Sequence, residues 1–170
     1  MTFRIVTVCT GNICRSPMAE YLLRRAFDEA GLADQVEIDS AATSHWEVGN
    51  PIDRRAAAVM DELGIDTLAH RAREVSADML RERDLILAMD HDHLDGLRAL
   101  TDSLGPQADS VAGRIHLMRS FDPEAPSGPG ADLGIRDPWY GGSEDFERTL
   151  TVLRPAVAGV VDYVRTHCEC

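Results

Sequence analysis

The sequence predicts an α/β fold, a three-layer α/β/α domain with a four-stranded, mostly parallel sheet. Short apolar runs of the kind buried on both faces of a parallel sheet alternate with stretches of helical periodicity. Right-handed crossovers between such strands place helices on both faces of the sheet. The 170 residues, 44% of them hydrophobic and 27% charged, suit one folded unit. We expect residues 1–165 to form this domain and residues 166–170 to form a C-terminal tail.

The first half of the chain predicts two strands that alternate with two helices. In order, these are strand 3–8, helix 17–30, strand 36–40 and helix 53–63. Pro17 is a favoured first helical residue, and Ser16 before it is placed as an N-cap. Gly31 and Gly64 follow the last residues of the two helical patterns and are typical helix terminators.

The second half repeats the alternation. In order, the elements are a short helix 76–80, strand 85–89, helix 91–100, strand 114–118 and a long helix 143–164. Ser76 is a typical N-cap, and Pro155 inside the last helix should kink it or split it in two. The segment 119–142 is rich in Pro and Gly and too long for a passive connection, so it predicts a functional loop at the carboxyl ends of the strands.

Charge and composition exclude several classes of function. A net charge of −12 argues against nucleic acid as a partner, and we expect no membrane partner because no apolar run is long enough to span a bilayer. All 17 basic residues are arginine, which excludes lysine-based Schiff-base chemistry and the nucleotide-binding loop that needs a lysine. The four cysteines do not form a secreted disulfide framework, and the N-terminus shows no signal-peptide pattern. We therefore expect a cytoplasmic protein.

The segment Cys9 to Ser16, between the first strand and the first helix, predicts a phosphate-binding loop. Main-chain amides can curl around an oxyanion where Gly11 and Asn12 tolerate unusual dihedral angles, and the helix N-terminus adds partial positive charge. The same dipoles favour the thiolate form of Cys9, a nucleophile. Arg15 can reach the oxygens of the bound phosphate, and the Ser16 hydroxyl can donate to the Cys9 sulfur. The alternatives are an inert buried cysteine and a nucleotide-binding loop without chemistry.

The run Val8 to Pro17, Val-Cys-Thr-Gly-Asn-Ile-Cys-Arg-Ser-Pro, resembles the signature of the low-molecular-weight protein tyrosine phosphatases. Further similarity lies in segments 40–43, 45–49, 64–65, 69–73, 85–90 and 137–140, and the resemblance extends from Thr2 to about Val164. The sequence departs from the family pattern at Ala42, where glycine is usual, and in the tail Cys168-Glu169-Cys170.

The resemblance implies hydrolysis of phosphotyrosine through a phosphocysteine intermediate on Cys9. Arg15 would bind the phosphate, and Asp137 would act first as general acid and then as general base. The partners it implies are phosphotyrosine-containing proteins and a cognate tyrosine kinase. No cofactor and no metal are expected.

The resemblance also implies a set of substrate-binding residues around the catalytic ones. The expected set is Thr10, Gly11, Asn12, Ile13, Cys14, Ser16, Trp46, Trp139 and Tyr140. Flat apolar walls around a deep phosphate site let a phenyl ring reach the bottom and position phosphoserine poorly. The alternative is that these aromatic residues belong to the core. His70 is expected to support the loop as a hydrogen-bond partner of Asn12, and Ile13 stands where relatives similar to phosphoarginine phosphatases carry threonine.

Three further groups invite hypotheses. The run Asp90-His91-Asp92-His93 resembles a metal site, but no second ligand cluster lies near it in sequence, and Asp90 is better placed to brace the loops. Cys14 could form a protective disulfide with Cys9 under peroxide. Cys168 and Cys170 could form a redox or metal clip, but a solvated tail with two idle thiols is the favoured interpretation.

Two rival functions follow from the same loop. A thiol-dependent arsenate reductase shares this fold and phosphate loop, but it needs further cysteines, and this chain has none between Cys14 and Cys168. A phosphate-binding module without catalysis would not need both Cys9 and Asp137.

Overall fold

A computed structural model describes residues 2–167 of the chain. Its four strands are β1 (Phe3–Cys9), β2 (Val36–Ala42), β3 (Leu85–Ala88) and β4 (Ile115–Leu117). They form one sheet in the order β2-β1-β3-β4, and every neighbouring pair is parallel. The predicted α/β fold is therefore confirmed, with a sheet that is parallel throughout.

Six α-helices lie among the described residues. They are α1 (Arg15–Glu29), α2 (Arg54–Asp61), α3 (Ala77–Arg81), α4 (His91–Thr101), α5 (Ala108–Ala112) and α6 (Ser143–His167). Short 3-10 segments occupy Ala33–Gln35, Asp102–Gln107 and Met118–Phe121. The sequence did not predict α5 or these segments, because they are too short to show a helical period.

Two predicted details of the helices are wrong. Ser16 is not an N-cap, because α1 already begins at Arg15 and the Ser16 hydroxyl lies 3.0 Å from the Cys9 sulfur. Nor does Pro155 split α6, which is continuous from Ser143 to His167. The buried residues Leu153, Ala156 and Val157 flank that proline, so their packing in the apolar core maintains the helix through it. Ser76 does cap α3, as predicted, by accepting a hydrogen bond from the Met79 amide.

Each face of the sheet has its own apolar core. Ile5 of β1 packs with buried residues of α1, α2 and α6 on one face. Val6 and Val8 pack with residues of α3, α4 and α5 on the other. This alternation along one strand is the pattern of a sheet covered on both faces. No helix within residues 2–167 is long and apolar enough to cross a bilayer.

The carboxyl ends of β1 and β3 organise the functional end of the molecule. The Cys9 carbonyl accepts from the Thr43 amide (2.9 Å), so the segment after β2 runs beside the loop after β1. The Met89 amide donates to the Val8 carbonyl (3.0 Å), and the Ile135 amide donates to the Met89 carbonyl (2.8 Å). These contacts bring the distant segment around residue 137 to the end of the central strand.

Candidate active site

The loop between β1 and α1, residues 10–14, has the backbone of an anion cradle. Asn12 at its centre has a φ of 58°, in the left-handed region that asparagine tolerates better than most residues. The amides of residues 11–14 donate no hydrogen bond to any residue between 2 and 167. Buried amides need an acceptor, and the N-terminal end of α1 adds positive potential at the same point. This loop is therefore built to receive a bound anion.

The side chain of Asn12 holds the loop in this conformation. It is fully buried, and its Nδ2 donates to Ser16 Oγ (2.9 Å) and Ser40 Oγ (2.8 Å). Its Oδ1 accepts from the Arg73 amide (3.0 Å). His70 Nε2 lies 2.7 Å from the Asn12 carbonyl oxygen. Burial lowers the pKa of His70, so the neutral ring donates through Nε2 to that carbonyl.

Ser16 connects Asn12 to the Cys9 sulfur. Cys9 is buried at the end of β1, with its Sγ 3.0 Å from Ser16 Oγ. Ser16 Oγ accepts a hydrogen bond from Asn12, and its own proton has two acceptors within reach, the Ala41 carbonyl at 3.4 Å and, closer, the Cys9 sulfur at 3.0 Å. A hydroxyl donor at this distance stabilises a sulfur that carries negative charge.

Arg15 is buried in the same loop, with one end of its guanidinium paired to acidic groups. Nη1 donates to Asp90 Oδ2 (2.7 Å) and to the Ile135 carbonyl (2.8 Å). Nη2 lies 3.2 Å from Asp137 Oδ2. Its buried Nε has no hydrogen-bond partner among residues 2–167. An oxyanion held by the loop would satisfy this donor.

Asp90 holds the opposite side of Arg15. Its Oδ1 caps α4 by accepting from the His93 amide (3.0 Å). Burial alone would raise the pKa of Asp90, but contacts with His93 and the hydrogen bond from Arg15 hold it well below its ordinary value. His93 Nδ1 is 2.9 Å from Asp90 Oδ1 but poorly aligned for a hydrogen bond, while its Nε2 pairs with Thr10 Oγ1 (2.8 Å). Asp90 and His93 thus support the loop.

Asp137 faces the loop from the long segment before α6. Its side chain is 38% exposed, and its Oδ1 accepts from the Trp139 amide (3.1 Å). The carboxyl therefore stands beside Arg15 at the edge of the cavity. A carboxyl group there can exchange a proton with a group bound above Cys9.

A cavity of about 190 Å³ lies over Cys9. It is lined by Cys9, Thr10, Gly11, Ile13, Cys14, Arg15, Trp46, Glu47, Asp137, Trp139 and Tyr140. Trp46, Trp139 and Tyr140 are 73%, 43% and 91% exposed, so they stand at its mouth and are not core residues. The structure thus brings together a thiol, an arginine, a carboxyl group and three aromatic rings. Asn12, Ser16 and His70 support the loop from below.

Cys14 lines the cavity but differs chemically from Cys9. Burial raises its pKa well above the ordinary value for a thiol, and the negative charges of Asp53, Cys9 and Asp137 add to this effect. Cys14 therefore remains a neutral thiol at neutral pH. Cys168 and Cys170 lie outside the described residues.

Several supporting residues were not identified as such from the sequence. They are Ser40, Arg73 and His93, which contact the loop; Glu20, which accepts a hydrogen bond from Ser40 Oγ; Glu47, which lines the cavity; and Arg55, which donates to the Trp139 carbonyl. For some of these residues the sequence did indicate a functional role, because they lie in the run 90–93 or in the similarity segments 40–43, 45–49 and 69–73. The run 90–93 also invited the hypothesis of a metal site. Residues 2–167 contain no group of three His, Cys, Asp or Glu side chains arranged to bind a metal ion.

Comparison with known proteins shows what the chain is similar to. The family model described as low molecular weight phosphotyrosine protein phosphatase matches residues 4–168. The low molecular weight protein-tyrosine-phosphatase of Streptomyces coelicolor is 40% identical over 169 residues, which cover 99% of this chain and 98% of that protein. Low molecular weight protein-tyrosine phosphatase A of Mycobacterium tuberculosis is 42% identical over 160 residues, 94% and 90% of the two chains.

Solved structures agree with these matches. The fold superposes on YfkJ from Bacillus subtilis with a TM-score of 0.86 at 25% identity, covering 99% of this chain and 98% of that one. It superposes on the tyrosine phosphatase AmsI of Erwinia amylovora with a TM-score of 0.77 at 32% identity, covering 96% and 93%.

Proposed function

The chain belongs to the low molecular weight phosphotyrosine protein phosphatase family, and we propose that it hydrolyses phosphotyrosine in proteins through a phosphocysteine intermediate on Cys9. One observation carries the proposal. The Cys9 sulfur, the Arg15 guanidinium and the Asp137 carboxyl group border a single cavity whose floor is a loop of unpaired amides. This set supplies a nucleophile, an anion-binding group and a proton donor.

In the first step the Cys9 thiolate attacks phosphorus, and the bond from phosphorus to the tyrosyl oxygen breaks. Asp137 gives its proton to that oxygen, so the leaving group departs as neutral tyrosine. The loop amides and Arg15 Nε hold the phosphoryl oxygens. Asp90, on Nη1 of Arg15, fixes the guanidinium so that Nε faces the loop.

In the second step water attacks phosphorus and the sulfur–phosphorus bond breaks. The Asp137 carboxylate takes a proton from the water, and inorganic phosphate leaves. The Ser16 hydroxyl, 3.0 Å from the sulfur, donates to it as negative charge returns. Asp137 is then protonated and Cys9 ionised, ready for another substrate.

The mouth of the cavity favours an aromatic phosphoester. Trp46, Trp139 and Tyr140 provide flat walls above the loop, and a phenyl ring can stack against them. The shorter side chain of phosphoserine cannot reach both the walls and the loop. Proteins phosphorylated by a cognate tyrosine kinase are the proposed substrates.

An arsenate reductase on the same scaffold is not favoured. The matching family and relatives are phosphatases by name. Both cysteines of residues 2–167, Cys9 and Cys14, lie within or beside the phosphate loop, so no third thiol in that part of the chain can carry oxidation away from them.

The test compares phosphate release from phosphotyrosine, phosphoserine and phosphoarginine peptides by the wild type, Cys9→Ser and Asp137→Ala. Cys9→Ser should be inactive, while Cys14→Ser, which alters the same loop but keeps the nucleophile, should still turn over at a reduced rate. Asp137→Ala should lose roughly 10²- to 10⁴-fold on phosphotyrosine, the usual contribution of a general acid. Turnover by Cys9→Ser would overturn the mechanism, and a preference for phosphoarginine or phosphoserine would overturn the substrate assignment.

A further inference from the structure

We propose that Arg55 is a positioning residue for Asp137, fixing the acid loop relative to the phosphate loop. The acid loop is defined here as residues 137–141. The inference rests on the proposed function, since it assumes that Asp137 donates a proton to the leaving group. Arg55 does not line the cavity and would act only through the residues that it holds.

On one side, Arg55 is attached through Asp53 to the phosphate loop, residues 10–14. Its Nε and Nη2 donate to the two carboxylate oxygens of Asp53, at 3.1 and 3.0 Å. The Asp53 amide donates in turn to the Ile13 carbonyl at 2.8 Å, within the phosphate loop. The guanidinium is therefore fixed by a bidentate pair that is itself bonded to the loop that holds the phosphate.

On the other side, Arg55 is attached to the acid loop. Nη1 of Arg55 donates to the Trp139 carbonyl (3.1 Å) and to the Gly141 carbonyl (2.7 Å). The guanidinium also lies over the rings of Trp139 and Phe146, 5.6 and 4.6 Å from their centroids. One planar group thus holds the acid loop and the start of α6 at a fixed distance from α2.

Asp137 depends on this support because few other contacts hold it. Its side chain is 38% exposed, and its contacts are the Trp139 amide and Arg15 Nη2. The Trp139 amide donates to the Asp137 carboxylate, and the Trp139 carbonyl accepts from Arg55, so Arg55 acts on Asp137 through Trp139. A shift of the loop by a fraction of an ångström would change the distance over which the proton is delivered.

A purely structural role explains Arg55 less well. It lies in the first turn of α2, where the helix dipole disfavours a cation, and its side chain is about one-third exposed. Burial alone would raise the pKa of Asp53, but hydrogen bonds from Arg55 outweigh it and lower that pKa. Asp53 caps α2 by accepting a hydrogen bond from the backbone amide of Arg55, and this cap does not depend on the side chain at position 55. The third guanidinium nitrogen, Nη1, takes no part in that cap or in the pair with Asp53, and both of its hydrogen bonds go to carbonyls of the acid loop.

The test uses two leaving groups, because a displaced general acid matters most when the leaving oxygen is basic. We would measure kcat/KM for phenyl phosphate and for p-nitrophenyl phosphate with the wild type, Arg55→Met and Arg55→Lys. Arg55→Met should lose about tenfold on phenyl phosphate and less than about twofold on p-nitrophenyl phosphate. Arg55→Lys keeps the charge but offers no fork, and it should show the same bias at about threefold.

Arg54→Met is the matched control. Arg54 is the exposed neighbour in the same helical turn, and it makes no hydrogen bond or ion pair within residues 2–167, so both rates should stay at wild-type values. Equal losses on both substrates, or no loss, would overturn the positioning role. Arg55→Lys decides the matter if Arg55→Met does not fold. If instead Asp137→Ala itself shows no leaving-group bias, the failure belongs to the proposed function and not to Arg55.

Discussion

The conformation of the phosphate loop depends on the buried side chain of Asn12. Replacing Asn12 by alanine and by glycine separates the contribution of its side-chain hydrogen bonds from that of its left-handed backbone. The Asn12 side chain donates to Ser16 and Ser40 and accepts from the Arg73 amide. Its backbone, at a φ of 58°, is strained for alanine but not for glycine. Alanine therefore loses the hydrogen bonds and adds strain, whereas glycine loses only the hydrogen bonds.

The expected magnitudes follow from these contacts. The Arg73 amide loses its acceptor, which costs about 1–3 kcal/mol, and each lost serine contact adds about 1 kcal/mol. The left-handed backbone conformation destabilises the alanine variant by roughly 1–2 kcal/mol more. Together these contributions should lower the free energy of unfolding by about 4–7 kcal/mol in Asn12→Ala and, without the strain, by about 3–5 kcal/mol in Asn12→Gly. Such losses are large against the ~5–15 kcal/mol total of an ordinary domain.

Urea denaturation measures the stability, and kcat/KM for p-nitrophenyl phosphate measures the activity. Both variants should lose roughly a hundredfold in kcat/KM, because the Ser16 hydroxyl is no longer oriented toward Cys9 and the amides no longer converge. Full activity in Asn12→Gly would refute the claim that the side-chain network shapes the loop. Equal stability of the two variants would refute the argument from backbone strain.

Three further results are expected. Because the pKa of Asp90 is low in the folded state, its carboxylate stabilises the fold at pH values above about 4, the ordinary pKa of a carboxyl group, and this stability is lost as the pH falls toward the folded-state pKa. Urea denaturation at several pH values should therefore show that the wild type loses stability in acid more steeply than Asp90→Asn. Parallel curves would contradict this. Trp46→Ala should lower kcat/KM for a phosphotyrosine peptide about fivefold while leaving inhibition by inorganic phosphate unchanged, since the ring stands at the mouth of the cavity, where a bound phenyl group and not the phosphate would meet it; weaker inhibition by phosphate would show that the loop itself was disturbed. Peroxide inactivation should be reversed by dithiothreitol in the wild type but not in Cys14→Ser, if a disulfide with Cys9 protects the nucleophile. Equal recovery of both proteins would exclude that disulfide.

Local patterns in the sequence were sufficient for the fold and for the residues of the phosphate loop. Short apolar runs predict the buried strands, and helical periodicity predicts the amphipathic helices. The strand–loop–helix order then predicts that Cys9 and Arg15 lie at the two ends of one loop. At Ser16 local reasoning predicted the contact between the hydroxyl and the Cys9 sulfur, but its N-cap assignment was wrong because α1 already begins at Arg15. At Pro155 it predicted a kink or a split, and the split does not occur because packing outweighs the loss of one helical hydrogen bond.

The supporting residues could not be predicted because their contacts are long-range. Arg73 meets Asn12 across 61 positions, and Arg55 meets Trp139 across 84. No local period or spacing encodes such contacts, and an arginine on a helix surface resembles a solvated charge. Asp90 is the exception, because its place at the end of a predicted strand favoured a bracing role over a metal site, and it accepts a hydrogen bond from Arg15.

Trapping the covalent intermediate tests the central claim most directly. The wild type would be mixed with a radiolabelled phosphotyrosine peptide, quenched in denaturant within milliseconds and digested. The account predicts label on the peptide that contains Cys9, none in Cys9→Ser, and release as inorganic phosphate when the quench is delayed. Tyrosine released without any labelled protein, or label on another side chain, would contradict it.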